Sequence, residues 1–342
     1  MKRYGILLLA LVALAALPAG AGRLIVANAN DSTVWAYDLP TGNVVGSQHM
    51  GGQALGVAAV GGKIAVTDFL GGGVTIYTAQ RIGDYLGVGR QSVSTAPDLV
   101  NPEGITPVGK NGWALVSDGV TQVEGQSVGL TLVDLFAAKK LSSVIMPSVY
   151  GVAFDPQTFT AYALDGFTPS ILVVKLSAAG QLTDTGVRLP VSGAGMAARY
   201  IALDAAGRRL LVSYKLAGAV EAIDLATGQS LGLVSGLGTA IGAIALTPDG
   251  TRAFVADWGT SQWAVLDLSA PGLPVDTGRR IACAYGVPNT YAGTRTFAFA
   301  GDVMYFSASN SNVISGLDWK AETPVRVEWA TGLSPAGMDV SN

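Results

Sequence analysis

A repeated pattern runs along the chain and constrains its fold more than any other feature. Each copy has a Gly-[Ile/Val]-Ala step, a polar turn, an apolar strand ending in Asp or Asn, and a second apolar strand followed by Asp-Leu-x-x-x-Gly. The clearest copies cover residues 150–165, 199–229 and 242–268, and weaker ones start at Leu55, Glu103 and Arg295. Their spacing of roughly 43–53 residues matches the blade length of β-propellers. Because one such sheet cannot bury both of its faces, the repeats predict sheets stacked radially around an axis.

The two ends of the chain are predicted to complete one blade together. Residues 23–46 supply a second, third and fourth strand, whereas residues 334–342 supply a first strand alone. Together with six internal copies they predict an all-β, seven-bladed β-propeller with four antiparallel strands per blade. Pairing of the ends removes the open sheet edge that favours aggregation. In the turns, Gly250, Gly207, Gly42 and Gly228 are expected to adopt a positive φ.

One motif resembles a known family. Pro248-Asp249-Gly250, followed by Phe254-Val255-Ala256-Asp257, is similar to the repeat of YVTN-type seven-bladed β-propellers. The resemblance covers nearly all of the chain after its N-terminal segment and implies the same fold. It does not imply one activity, because that superfamily includes binding proteins, surface-layer proteins and lactonases.

The N-terminal segment has the pattern of a secretory signal peptide. Lys2 and Arg3 precede an apolar run over residues 4–17, which is shorter than the roughly 20 residues that a membrane span needs. The small residues Ala19, Gly20 and Ala21 then predict cleavage after residue 21. We therefore expect residues 1–21 to be removed and residues 22–342 to form one exported propeller domain, periplasmic or extracellular, without a membrane span.

The composition narrows the classes of partner. Without residues 1–21 the chain has 19 basic and 24 acidic residues, a net charge of about −5, which argues against binding to nucleic acid or anionic membranes. The single cysteine, Cys283, excludes an internal disulfide, and one Cys with one His cannot supply a zinc cluster. We expect neither a metal nor a cofactor.

Aligning the repeats places one residue per blade around one end of the central channel, which we call the mouth. In blade order these residues are Ala336, Leu55, Glu103, Tyr150, Arg199, Gly242 and Arg295. Glu103 is the only acid among them. The two arginines are suited to a carboxylate or phosphate ligand. Alternatively, Glu103 pairs with an arginine across the channel and only neutralises buried charge.

The ends of the second strands form another set around the mouth. Its members are Asn28, Asp68, Asp118, Asp165, Tyr214, Asp257 and Ser309, with Phe69, Phe167 and Trp258 just beyond them. Repetition of Asp and Asn indicates side chains that accept hydrogen bonds from loop amides. The aromatic residues, together with the charged ones, are typical of binding hot spots. A longer loop at residues 119–129 adds to this surface, whereas the one at residues 81–97 is expected on the opposite face or the outer edge.

The sequence favours a binding or scaffolding module over an enzyme. We expect recognition of a protein, peptide or glycan through Glu103, Tyr150, Arg199, Arg295, Phe69, Phe167, Tyr214 and Trp258. Calcium-dependent lactonase chemistry is disfavoured because two arginines at the mouth would repel Ca²⁺. A metal-independent lactone or ester hydrolase is the alternative, provided that the only histidine, His49, converges with Glu103 and Arg295 for acid–base catalysis.

Overall fold

The computed structural model describes residues 22–79, 85–86, 88–95, 101–109, 111–118, 129–146, 149–165, 168, 170–193, 197–283, 286–287, 296–308 and 312–341. These residues contain strands and turns but no helix. The strands form seven antiparallel sheets of four strands each, named blades 1 to 7 here. The predicted seven-bladed propeller is confirmed.

The strands are given from the inner to the outer edge of each blade. Blade 1 consists of β28 (Pro335–Ser341), β1 (Arg23–Asn28), β2 (Thr33–Asp38) and β3 (Val44–His49). Blade 2 consists of β4 (Ala54–Val60), β5 (Lys63–Asp68), β6 (Gly73–Thr78) and β7 (Val88–Ser94). Blade 3 consists of β8 (Gly104–Val108), β9 (Trp113–Ser117), β10 (Gly129–Asp134) and β11 (Lys139–Ile145). Blade 4 consists of β12 (Gly151–Asp155), β13 (Thr160–Leu164), β14 (Ser170–Leu176) and β15 (Leu182–Pro190).

The remaining blades follow the same order. Blade 5 consists of β16 (Ala198–Asp204), β17 (Arg209–Tyr214), β18 (Ala219–Asp224) and β19 (Ser230–Val234). Blade 6 consists of β20 (Ile241–Leu246), β21 (Arg252–Asp257), β22 (Gln262–Asp267) and β23 (Val275–Ala282). Blade 7 consists of β24 (Phe297–Ala300), β25 (Val303–Ala308), β26 (Val313–Asp318) and β27 (Thr323–Ala330).

Blade 1 is closed by the two ends of the chain, as predicted. Strand β28 pairs antiparallel with β1, with Met338 opposite Val26. Both side chains are fully buried in an apolar cluster that also holds Tyr305 of blade 7. The closing strand therefore completes a sheet and also packs that sheet against its neighbour.

The core is divided among the blade junctions. Each junction between neighbouring blades holds its own cluster of buried apolar side chains within the described residues. Between blades 1 and 2, for example, Ile25 packs with Val66, and between blades 6 and 7 the rings of Trp263 and Phe306 meet edge to face at 5.4 Å. Successive side chains of a strand point to opposite faces of its sheet. Each blade therefore presents an apolar face to the blade on either side, which explains the radial stacking.

The predicted turn glycines behave in two ways. Gly250, Gly42 and Gly228 have φ angles of 70°, 71° and 70°, as expected. Gly207 does not: the positive φ falls on the following residue, Arg208, at 52°. Gly207 is instead required by space, because a Cβ there would lie 2.4 Å from Oδ2 of Asp204.

The inner strands position the candidate site. Strands β28, β4, β8, β12, β16, β20 and β24 each lie at the end of their sheet and pair on one side only, so their free backbone edges border the central channel. They begin at the mouth, where the second strands end. Residues just before or at the start of an inner strand therefore surround the mouth.

Candidate functional site

The Asp and Asn residues at the ends of the second strands hold the mouth-side turns together. Asp257 Oδ1 accepts hydrogen bonds from the amides of Thr239 (3.1 Å), Ala240 (2.9 Å) and Gly259 (3.1 Å). Burial raises the pKa of Asp257, but hydrogen bonds from Thr260 and these amides outweigh burial and hold the pKa below its ordinary value.

The same arrangement recurs in other blades. Asp68 accepts from the Gly71 amide at 2.9 Å, Asp165 from the Thr168 amide at 3.2 Å, and Asp118 from the Asn101 amide at 3.3 Å. The interpretation of these carboxylates as acceptors for loop amides is confirmed. They fix the turns from which the side chains of the mouth project.

Glu103 lies between blades 2 and 3, where its backbone is tied on both sides. Its amide donates to Ser117 O at 2.9 Å, and its carbonyl accepts from the Thr67 hydroxyl at 2.8 Å. The Thr67 hydroxyl in turn accepts from the Gly56 amide at 2.7 Å. The Glu103 residue is only 2% exposed. The sequence therefore placed this acid at the start of an inner strand correctly, and the structure buries it there.

Tyr150 and Arg199 meet at the mouth between blades 4 and 5. The Arg199 guanidinium carbon lies 5.1 Å from the centroid of the Tyr150 ring, which is a cation–π contact. Both residues are partly exposed. Arg199 makes no ion pair with Glu103 or with any other carboxylate in the described part of the chain. Glu103 therefore does not pair with Arg199, and the alternative partner, Arg295, lies outside the described residues.

Arg199 is unusual among the arginines of the protein. The other arginines whose side chains are described bond to a carboxylate or a backbone carbonyl; they are Arg23, Arg90, Arg188, Arg208, Arg209, Arg252, Arg279 and Arg280. In the part of the chain that the structure describes, the guanidinium of Arg199 contacts an aromatic face instead. Its hydrogen-bond donors make no bond to a protein group among the described residues.

A second pair of the same kind lies between blades 5 and 6. The ammonium nitrogen of Lys215 is 4.4 Å from the centroid of the Trp258 ring. Lys215 has no carboxylate partner among the described residues. Trp258 was predicted at this position, but Lys215 was missed. It directly follows Tyr214, and the same alignment that selected Phe69 and Trp258 could have selected it.

Phe69 covers the opposite part of the mouth. It packs on a small apolar cluster formed by Ala29, Leu55 and Ala336 of blades 1 and 2. Its carbonyl accepts from Asn101 Nδ2 at 2.9 Å. The mouth therefore has an apolar side at blades 1 and 2 and a cationic, aromatic side at blades 4 to 6.

Tyr214 does not belong to the exposed surface that the sequence predicted. It is fully buried, and its hydroxyl donates to Glu221, which also accepts from the Ser192 amide at 3.0 Å and the Ser192 hydroxyl at 2.8 Å. Burial and the Glu221 carboxylate raise the pKa of Tyr214. A Cβ on Gly193 would overlap the Tyr214 ring at 2.1 Å. Tyr214 thus anchors the connection from blade 4 to blade 5.

His49 does not approach Glu103. It is the last residue of β3, the outermost strand of blade 1, where it is exposed and its Nδ1 accepts from the Gly51 amide at 3.1 Å. Three strand spacings of about 4.8 Å separate β3 from the inner strand of the blade. The hypothesis that His49 and Glu103 act as a catalytic pair is therefore wrong.

Several predicted elements lie outside the described residues. They are Arg295, Phe167 and Ser309, most of the loop at residues 119–129, parts of residues 81–97, and the predicted signal segment at residues 1–21. Their proposed roles stay predictions. Within the described residues, no group of three or more His, Cys, Asp or Glu side chains is arranged to hold a metal ion. No helix in the described ranges is long and apolar enough to cross a membrane.

A cavity of about 220 Å³ lies along the inner strands of blades 3, 4 and 5. It is lined by residues of β8, β12 and β16, namely Thr106, Pro107, Gly151, Val152, Phe154, Tyr200 and Ile201. The Thr106 hydroxyl donates to Val152 O at 3.3 Å and links two of these strands. Across the channel, Tyr200 approaches Phe297 of blade 7 with ring centroids 6.2 Å apart. Aromatic side chains therefore fill part of the channel beside the cavity.

Comparison with known proteins identifies the fold but no family. Neither a protein-family model nor a curated protein matches the sequence significantly. Solved structures match over nearly the whole chain. A functionally unknown protein from Desulfotomaculum acetoxidans superimposes with a TM-score of 0.78 at 15% identity, covering 94% of this chain and 99% of that one.

Two further structures are described as lactonases. The periplasmic gluconolactonase PpgL of Pseudomonas aeruginosa has a TM-score of 0.74 at 18% identity, covering 94% of this chain and 99% of its own. A candidate 6-phosphogluconolactonase from Bacteroides fragilis has a TM-score of 0.72 at 13% identity, covering 96% and 100%. At these identities the likeness concerns the fold. The chain is thus a seven-bladed propeller of the architecture that these structures share.

Proposed function

We propose that this protein is an exported binding module whose mouth recognises an acidic group on a protein, peptide or glycan. The observation that carries the proposal is the pair of cations on blade 5, Arg199 and Lys215, each stacked on an aromatic ring and lacking a carboxylate partner among the described residues. Two neighbouring cations without a carboxylate partner in the described ranges favour a positive region on a protein whose net charge is negative. Such a region attracts anionic groups.

The surroundings of the mouth support a partner larger than an ion. Leu70 and Leu216 project from mouth-side turns with 71% and 70% exposure, and Leu333 is exposed beside the β1–β2 turn. Exposed apolar side chains next to charged and aromatic ones are typical of interaction surfaces. We therefore favour binding to a macromolecule that presents carboxylates.

Retention of acidic probes on immobilised protein tests the proposal. The probes are a glutamate-rich peptide and polygalacturonate, with an uncharged peptide and dextran as neutral counterparts. We expect the acidic probes to be retained at low salt and released as the salt concentration rises. The double variant Arg199→Gln/Lys215→Gln should lose retention.

A charge-matched control separates the mouth from net charge. Arg279→Gln/Lys320→Gln removes two charges from ion pairs with Glu322 and Asp302, at the end of the propeller opposite the mouth. This control should retain both acidic probes. Equal loss in the two double variants, or no retention by the unaltered protein, would refute the proposal.

Lactone hydrolysis is the second candidate. Two structural neighbours are described as lactonases, and Glu103 places a buried carboxylic acid at the mouth. Turnover of δ-gluconolactone that is lost in Glu103→Gln but kept in His49→Ala would establish it, since His49 lies on an outer strand. Absence of turnover with several lactones would refute this candidate and leave binding as the proposed role.

Export is inferred from the N-terminal pattern of Lys2, Arg3 and the apolar run at residues 4–17. The N-terminal sequence of the protein recovered from its producing cells tests this inference. We expect it to start at Gly22. A chain that keeps residues 1–21 in a soluble intracellular fraction would contradict export.

A further inference from the structure

The channel cavity and Arg199 are neighbours in the fold. Tyr150 immediately precedes Gly151, and Arg199 immediately precedes Tyr200, so each residue of the cation–π pair is joined to a residue of the cavity wall. Consecutive Cα atoms are only about 3.8 Å apart. The backbone of the cation–π pair therefore lies one residue from the cavity wall on both strands, on the side of the mouth.

The cavity has room for one compact group, and its wall is partly apolar and partly polar. An apolar cavity of about 150 Å³ is enough to hold benzene, and this cavity has about 220 Å³. Phe154, Val152 and Ile201 supply apolar surface, and Tyr200 adds an aromatic ring. This volume accommodates a phenyl or branched alkyl group together with the atoms that link it to a head group at the rim.

The wall also contains polar backbone. Strands β8, β12 and β16 each pair on one side only, which leaves backbone N–H and C=O groups along the channel edge. These groups can bond to an amide or hydroxyl close to the apolar group of a ligand. The cavity is therefore suited to a ligand of mixed character rather than to a pure hydrocarbon.

From this arrangement we infer that the site binds a carboxylate bearing one compact apolar or aromatic group. The carboxylate bonds to the guanidinium of Arg199 at the rim, and the apolar group enters the cavity between blades 3 and 5. Arginine is suited to this task because its planar donors match a carboxylate in a bidentate geometry. The inference rests on the proposed function and adds the class of the ligand.

Two sources supply this chemistry. One is a free small acid, and the other is the C-terminal residue of a peptide, whose α-carboxylate and side chain are held close together. The peptide source adds an amide next to the carboxylate, which the free backbone edges of the inner strands can bond. The two sources are separated by comparing ligands with and without that amide.

Calorimetric titration of the full mature chain tests the inference. The ligands are 3-phenylpropionate, its uncharged amide 3-phenylpropionamide, acetate, N-acetylphenylalanine and a short peptide ending in phenylalanine. We expect 3-phenylpropionate to bind at least tenfold more tightly than either acetate or 3-phenylpropionamide. Tighter binding of N-acetylphenylalanine and of the peptide than of 3-phenylpropionate indicates a peptide C-terminus; equal or weaker binding indicates a free acid.

Variants test the two halves of the site separately. Arg199→Gln should weaken binding of 3-phenylpropionate at least tenfold. The affinity of Arg199→Lys should lie between those of the unaltered protein and Arg199→Gln, because lysine keeps the charge but loses the bidentate geometry. Val152→Phe should also weaken binding at least tenfold by filling the cavity. Val187→Phe, at a position 49% exposed on the outer strand β15, is the matched control and should leave binding unchanged.

The outcomes separate this inference from the proposed function. Equal affinity for acetate and 3-phenylpropionate, both dependent on Arg199, would overturn the apolar pocket while leaving acidic recognition in place. Equal affinity for 3-phenylpropionate and its amide would overturn the role of the carboxylate. Failure of every carboxylate, together with failure of the acidic polymers, would remove both proposals. The ligand series uses the unaltered protein, so the test stands even if Val152→Phe does not fold.

Discussion

Replacing Arg209 by methionine tests whether a buried ion pair ties blades 5 and 6 together. Arg209 is fully buried at the end of the propeller opposite the mouth, and its Nε donates to Asp204 Oδ2 at 2.7 Å. Its remaining donors reach three backbone carbonyls of the loop after β22: Leu268 O at 2.9 Å, Ala270 O at 3.0 Å, and Gly272 O. One side chain thus holds a turn of blade 5 and a loop of blade 6.

The expected loss follows from what the substitution leaves behind. Methionine fills much of the volume, but Asp204 keeps a buried charge with one remaining bond, from the Gly207 amide at 2.9 Å. Removing one partner of a buried ion pair typically costs about 3–5 kcal/mol. We expect Arg209→Met to lower the free energy of unfolding by about 4 kcal/mol. With about 2.1 cal/mol/K of unfolding entropy per residue over about 320 residues, the melting temperature falls by roughly 6 °C.

Urea unfolding measures this loss, and a double-mutant cycle locates its origin. Asp204→Asn removes the charge but keeps an oxygen for the Gly207 amide. The double variant should lose about 2 kcal/mol less than the sum of the single variants, because it leaves no uncompensated buried charge. Coincident transitions in fluorescence and circular dichroism establish that two-state analysis applies.

A surface arginine is the control. Arg188 pairs with Asp184 at 2.7 Å on the outer strand β15, with its side chain 39% exposed. Arg188→Met should cost less than about 1 kcal/mol. A cost below about 1 kcal/mol for Arg209→Met, or strict additivity in the cycle, would refute the buried ion pair as a tie between the blades.

Three further predictions concern the rest of the fold. Met338→Ala, in the closing strand, should cost about 2–5 kcal/mol in urea unfolding because it empties a fully buried site; a cost below about 1 kcal/mol would argue against tight packing of β28. Hydrogen bonds outweigh burial and depress the pKa of Asp257, so its contribution to stability is present above its unfolded pKa of about 3.9 and is lost as the pH falls through the lower folded value. Unfolding at pH 7 and pH 3 should therefore show a smaller acid loss for Asp257→Asn than for the unaltered protein, and equal losses would contradict this assignment. Burial raises the pKa of Cys283 to about 12, so iodoacetamide should label it far more slowly in the native protein at pH 8 than in urea, as followed by mass spectrometry; equal rates would show an accessible thiolate.

The architecture could be predicted because it depends on patterns that recur along the chain. The apolar alternation, the turn at Gly250 and the repeated Asp at strand ends each reflect a local conformational preference. Because the pattern recurs along the chain, it predicts similar sheets arranged around one axis. The closing strand was predictable for the same reason, since residues 334–342 lack partners in sequence and residues 23–46 lack a first strand. Even the structural role of Asp257 followed from its repetition.

The composition of the mouth was decided by tertiary packing. Alignment of the repeats placed Arg199 and Trp258 correctly around the axis, but it could not show that the first would stack on Tyr150 or that the second would stack on Lys215. It also could not show that Tyr214 turns inward to Glu221, or that His49 ends on an outer strand. The sequence by itself determined the number of blades and the order of residues around the channel, because both follow from strand period and turn chemistry. Only the tertiary structure decided which of those side chains are exposed at the mouth, because burial and pairing depend on contacts between strands and between blades.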